Sequence, residues 1–284
     1  MRKRQKIMSL LLALSFVAGL MPGLAVPAQA AGTDKTIMAG VSGISGPTAV
    51  TTTDGTYYTP SDYIWYGAYD QNSDGTAEPI QWRVLSTSGN ATGTSDSLSD
   101  GTNTVSNDKA LFLLSEYLLA SGVYFQQNYH YDSSDSVYRK GGSHSEGTDE
   151  ALANAWQGSD GQSWAKDFAG ESGSSVADAF SSGEQAALLA TTKEDASTSK
   201  YSIDWGTSKL EGDKVFFLSV DELSQYVGSY DTAPGLAATP AGSFTAGVWW
   251  LRSSYAYSNR AGVVTVNGYV TTAMSAPAGQ CAPL

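Results

Sequence analysis

Two adjacent tryptophans running into a leucine and an arginine, Trp249-Trp250-Leu251-Arg252, constrain this chain more than any other stretch. They begin a short apolar strand, Gly247 to Ser254, which leads into a polar, tyrosine-rich loop from Tyr255 to Arg260. Two further strands then meet at Asn267-Gly268, the dipeptide that best fits the left-handed conformations of a two-residue hairpin turn. The segment therefore reads as a rigid sheet that displays a loop, and the residues before it read as its scaffold. Trp249, Trp250 and Leu251 belong to that scaffold. Arg252 is a charge inside an apolar strand, and such a group pairs with an internal carboxylate more often than it reaches a ligand.

Upstream, Asp62 to Tyr69 is an aromatic-rich strand. Ile80 to Leu85 alternates with period two, placing Ile80, Trp82 and Val84 on one face and Gln81 and Arg83 on the other. These two strands should pair as an antiparallel hairpin across Asp70 to Glu78. Thr87 to Asp108 reads as an exposed insertion, and Ala110 to Ser115 as a buried strand with a helical turn over Glu116 to Ala120. Gln126 to Gly161 is polar and holds both histidines, His130 and His144. Trp164 and Phe168 are spaced for one face of a short helix. Ser181 with Glu184, and Ser219 with Glu222, have capping-box spacing; they start one helix running through Leu189 and another carrying Leu223 and Tyr226. Val215 to Leu218 reads as another buried strand. The fold class is α+β: a small, mostly antiparallel sheet, two or three short helices and long loops.

Residues 1–30 read as a secretory signal peptide. Arg2, Lys3, Arg4 and Lys6 precede the apolar run Ile7 to Leu20, and Ala28-Gln29-Ala30 supplies a cleavage site. Residues 31–56 read as a linker or N-terminal arm, and 57–284 as one domain. Cleavage would remove four of the sixteen basic residues and no acidic one, leaving twelve against 28. So acidic a surface excludes nucleic acid and anionic membrane as partners. No second run of spanning length follows, so no membrane insertion is expected after cleavage. The single cysteine, Cys281, has no internal partner for a disulfide. It reads as buried more readily than as a reactive thiol.

Chemistry-bearing motifs are sparse. Asp70, Asn72, Asp74 and Gly75 fit the first half of a calcium loop, but its twelfth position is Gln81, inside a strand. The alternative is a hairpin loop that uses Asn, Asp and Gly for its turn. Ser143-His144-Ser145-Glu146-Gly147 misses the hydrolase nucleophile elbow, because the first glycine and the preceding buried strand are absent. His130 and His144 do not have zinc spacing. No metal or cofactor is expected. In the C-terminal region, Tyr255, Tyr257, Ser258, Asn259, Arg260, Asn267 and Tyr269 have the Tyr/Ser/Asn/Arg composition of protein-recognition loops. The same residues also fit tyrosines half-packed at a sheet edge.

Several blocks together resemble the DUF6273 family of bacterial secreted domains. They are Tyr66 to Asp70 with Glu78 to Leu85, Ala110 to Ser115, Ala179 to Gln185, Asp213 to Ser219, and Trp249 to Ser253 with Gly262 to Gly268. The resemblance implies a C-type-lectin-like fold, akin to formylglycine-generating enzymes and retroelement-diversified display proteins. The ending Gly279-Gln280-Cys281-Ala282-Pro283-Leu284 departs from the family's closing strand. The lectin calcium motifs are absent, since Glu78-Pro79 is followed by Ile80. The cysteines of the formylglycine-generating site are not supplied either.

The expected function is therefore a secreted, non-catalytic ligand-binding or display module, outside the cell or at its surface. By resemblance, Tyr255, Tyr257, Ser258, Asn259, Arg260, Asn267 and Tyr269 would contact an extracellular protein or glycan. The alternatives are an extracellular glycan-active enzyme using carboxylates, and a structural surface module without a specific ligand.

Overall fold

The computed structural model describes residues 63–71, 74–142, 151–171, 179–194, 208–227, 248–255, 257–265, 269–274 and 281–282. Residues 1–62 lie outside these, and with them the segments read as leader and arm, as do Asn72, His144 with its neighbours, and Asn267. The described chain is a mixed α+β arrangement of small, mostly antiparallel sheets with few helices. None of its helices is long and apolar enough to cross a membrane.

Strands β1 (Tyr63–Tyr69) and β2 (Glu78–Ser86) form the expected hairpin, with Tyr69 opposite Glu78. Ile80, Trp82 and Val84 point into the core, as the alternation requires. Arg83, on the other face, makes a two-point ion pair with Glu116 at 2.7 and 2.8 Å. β5 (Phe112–Ser115) pairs with the far edge of β2. Two sequence blocks more than a hundred residues apart meet against this sheet. Gly67, at φ 73°, sits under Ala179 and Phe180, where a Cβ would lie 2.7 Å from the Ala179 carbonyl oxygen. Its N–H donates to Glu184 Oε1 at 3.0 Å, and the Tyr66 hydroxyl donates to the Glu184 carbonyl at 2.7 Å.

The helices are α1 (Asp160–Phe168), α2 (Ser182–Gln185) and α3 (Val220–Tyr226). Both predicted capping boxes form, at Ser181 with Glu184 and at Ser219 with Glu222. α2 stops after one turn instead of running to Leu189. Beyond it, β9 (Ala190–Lys193) is claimed by sheet pairing with β3 (Ser97–Ser99) and β10 (Leu210–Asp213). β3 also pairs with β4 (Thr104–Val105), so the supposed insertion contributes two strands and the buried Leu98. Glu116 to Ala120 is not helical; it leads into β6 (Ala120–Ser121), with Leu118 and Leu119 in the core.

Sheet order in the C-terminal part is β13-β12-β11-β14-β6. It is built from β11 (Trp249–Ser254), β12 (Arg260–Val264), β13 (Val270–Met274) and β14 (Cys281–Ala282). β12 and β13 flank Asn267-Gly268 as the hairpin signal requires, with Val264 opposite Val270. β14 runs parallel to β11, placing Cys281 beside Trp249, so the divergent C-terminal sequence still supplies a strand. Every residue of β11 is buried, and Trp250 Nε1 donates to the Val123 carbonyl at 2.9 Å.

Val215 to Leu218 is buried but is not a sheet strand. It crosses the core extended, and Arg252 provides its bonding. The Arg252 backbone N–H donates to the Leu218 carbonyl at 2.9 Å, and its guanidinium donates to the Phe217 carbonyl at 2.8 Å. The same guanidinium pairs with Glu222, and Lys193 Nζ reaches the other oxygen of that carboxylate at 3.1 Å. Arg252 is 0% exposed and Glu222 1%. Burial opposes ionisation of Glu222, but the two cations outweigh it and hold the carboxyl well below the usual carboxylate range.

Glu222→Gln should therefore destabilise the fold by about 3–5 kcal/mol, because Arg252 and Lys193 keep their charges without a counter-ion. Arg83→Gln, at a mostly buried two-point pair whose partners keep some solvent contact (20% and 13%), should cost less, about 1–3 kcal/mol; urea titration compares the two. With a folded value below the unfolded one, stability from Glu222 is full above about pH 4.3. It is lost as pH falls toward about 2. The Gln variant should therefore show a flatter acid limb. Gly67→Ala should cost more than about 2 kcal/mol, since it adds left-handed strain to a steric clash.

Candidate functional site

Between β11 and β12 the chain turns through Tyr255 to Asn259. The Arg260 N–H donates to the Tyr257 carbonyl at 2.9 Å, and the Tyr255 N–H donates to the Arg260 carbonyl at 3.0 Å. Short connections of this kind usually fray in solvent, but this one is gripped from below. Asn154 is fully buried, and its Nδ2 faces the carbonyls of Tyr257, Arg260 and Tyr255 at 3.1, 3.2 and 3.3 Å. One side-chain amide thus ties three backbone positions, sharing two hydrogens among three acceptors. A second tie comes from Ser258, whose Oγ accepts the Tyr138 N–H at 2.6 Å.

Tyr138 belongs to a hairpin of β7 (Tyr129–Asp132) and β8 (Val137–Lys140), which pair Tyr131 with Tyr138 and Tyr129 with Lys140. Period two puts Tyr129, Tyr131 and Tyr138 on one face. Ring centroids lie 5.1 Å apart for Tyr131 and Tyr138, and 5.6 Å for Tyr129 and Tyr138. The opposite face turns Asp132 and Val137 inward, and Arg139 pairs with Asp132 at 2.9 Å. The segment carrying Asn154 is bonded to β8, with the Ala153 N–H on the Tyr138 carbonyl at 2.9 Å. Loop, Asn154 segment and tyrosine hairpin are therefore bonded to one another. Lys140 Nζ donates to the carbonyls of Ala155 and Gln157 at 2.9 and 2.6 Å. Burial pushes that ammonium down to about 8, against the opposing effect of Asp160.

The seven residues singled out by sequence do not form one patch. Tyr257 is 60% exposed, and the Arg260 guanidinium lies 5.0 Å from its ring centroid; Tyr255 is half-buried beside them. Ser258 and Asn259 are buried, contrary to their expected outward placement; Ser258 serves as an anchor of the loop. Tyr269 is 52% exposed but follows the far end of β12. Four residue steps along that strand separate the two ends by roughly 14 Å. Asn267 lies outside the described residues. The hairpin tyrosines, including Tyr131 at 52% exposure, lie in the segment Gln126 to Gly161, which reads from sequence only as polar. The alternation Tyr129-His130-Tyr131 was the available signal.

Other candidate sites resolve differently. Asp70 accepts from the N–H groups of Asp74 at 3.1 Å and Gly75 at 2.8 Å, so its carboxylate closes the turn. Among the described residues no group of three or more His, Cys, Asp or Glu is placed to hold a metal ion. His130 Nδ1 lies 3.2 Å from the Gly141 carbonyl, and the Ser143 to Gly147 stretch lies outside the described residues. An apolar cavity of about 110 Å³ opens between the β2–β5 sheet and β9, walled by Trp82, Phe112, Phe180, Leu188 and Phe216. Two ionisable residues that line it are already engaged: Lys214 with Glu171 at 3.6 Å, and Tyr66 with the Glu184 carbonyl.

No family model, curated protein or solved structure matches this chain.

Asn154→Ala should release the loop without touching its outward side chains. The expected result is hydrogen exchange at the Arg260 amide at least about tenfold faster, and a loss of about 1–3 kcal/mol from the vacated carbonyls. An unchanged exchange rate would show that the loop holds its shape without Asn154.

Proposed function

We propose that this chain is an exported, non-catalytic binding module of C-type-lectin-like architecture, and that its ligand seats on the Tyr255–Arg260 loop and the tyrosine face of the β7–β8 hairpin. The observation that carries the proposal is Tyr257: a large ring standing 60% exposed on a loop whose backbone is fixed by a fully buried amide. A ring held out from a frozen backbone loses little entropy on binding, which is how tyrosine serves in recognition loops. Tyr131 adds a second exposed ring on the adjoining hairpin. The order of the DUF6273-like blocks and the leader-like first thirty residues point the same way. The charge balance favours an extracellular protein or glycan as ligand over nucleic acid or lipid.

A screen of the purified chain against extracellular-protein and glycan arrays tests this reading. For any saturable ligand, Tyr257→Ala and Tyr131→Ala should each weaken binding by about 1–3 kcal/mol. Tyr257→Ala should leave the thermal midpoint unchanged, and Tyr131→Ala should lose no more than its contact with Tyr138, about 0.5–1.5 kcal/mol. Tyr269→Ala, at the other end of β12, should change it little. Binding that depends on Tyr269 and is indifferent to Tyr257 and Tyr131 would move the site to the β12–β13 turn.

A further inference from the structure

Four arginines follow the leader-like segment: Arg83, Arg139, Arg252 and Arg260. The first three each hold a carboxylate, from Glu116, from Asp132 and Asp135, and from Glu222. Arg260 holds none among the described residues; its guanidinium lies against the Tyr257 ring. Among the described arginines it alone has no carboxylate among the described residues. Its backbone is also the best-fixed point of the loop, with its carbonyl bonded to Asn154 and Tyr255 and its N–H to Tyr257. The guanidinium carbon lies 5.0 Å from the centroid of the exposed Tyr257 ring, a cation–π distance. A guanidinium presents a planar N–H fork, whose two-point partner is a carboxylate.

We infer that Tyr257 and Arg260 form a receptor for a single carboxylate, an Asp or Glu side chain on a partner protein. The inference rests on the binding-module reading above and names its ligand chemistry. Charge argues for one carboxylate within a largely neutral patch: the acidic body repels a polyanion, but screening over about 8 Å at physiological salt lets one anion approach a local cation. Tyrosine and arginine are also the residues that dominate protein–protein contacts.

The test is NMR of the Arg260 Nε–H and the Tyr257 ring during titration with three probes: N-acetyl-aspartate N-methylamide, the matching asparagine derivative, and galacturonic acid. The aspartate probe should give a saturable shift, and the asparagine probe should bind at least about tenfold more weakly. Arg260→Gln should abolish the shift at an unchanged thermal midpoint, and Arg260→Lys should retain part of it, as a point charge without the fork. Equal response to the aspartate and asparagine probes, or none to either, overturns the inference. Tighter binding of galacturonic acid overturns the assignment to a protein carboxylate. Array ligands that need Tyr257 yet tolerate Arg260→Gln overturn the carboxylate receptor and leave the binding module standing. An array with no saturable ligand overturns the module itself.

Discussion

One buried carboxylate, Glu222, holds together parts of the chain that otherwise share few contacts. Its two oxygens face Arg252 on β11 and Lys193 on β9, and the Lys193 side also receives Asn90 from the loop before β3. Glu222 is itself the third residue of a capping box, bonded to the Ser219 N–H at 3.0 Å. One residue thus starts a helix, neutralises a strand and pins a second sheet. Ion pairs this deep are poor sources of net stability compared with an apolar replacement. What they impose is register. Any slip of β11 by one residue would carry Arg252 to the other face of its strand, away from Glu222, and leave its charge without a partner there.

That register is what gives the outer surface its stiffness. β11 emerges from the core with all six residues buried, and the Tyr255–Arg260 loop begins one residue later. The loop has no disulfide to hold it, so its order must come from hydrogen bonds supplied from below. Asn154 and the Tyr138 N–H supply them, and both belong to the segment that carries the tyrosine hairpin. The hairpin is therefore part of the loop's support as well as its neighbour on the surface. Distance along β12 separates Tyr257 from Tyr269, which lie near opposite ends of that strand.

Much of the scaffold was legible in the residues. Alternation placed β2, capping-box spacing placed the starts of α2 and α3, and Asn267-Gly268 placed the β12–β13 hairpin, because each signal is local. Pairing of Arg252 with an internal acid also followed from its position, though not which acid, since Glu222 is thirty residues away in sequence. What failed was whatever depended on distant partners. Val215 to Leu218 has the composition of a strand, yet its hydrogen bonds go to a guanidinium and one backbone amide. Leu98 is a lone apolar residue in polar sequence, too little periodicity to reveal a three-residue strand. Ser258 and Asn259 have the composition of contact residues, but composition does not say which side chain of a tight turn points inward.

The arrangement of anchors explains how such a surface could change its side chains without losing its shape. Asn154 grips the loop through the carbonyls of Tyr255, Tyr257 and Arg260, and every residue has a carbonyl. The side chains at positions 257 and 260 are therefore not needed for these bonds. Position 258 differs, because its hydroxyl is itself the bond to Tyr138. A loop built this way has fixed and free positions set by physics alone: Ser258 and Asn154 hold the frame, and Tyr257 and Arg260 are displayed on it. Side chains can then differ at the displayed pair while the residues beneath keep the frame's shape.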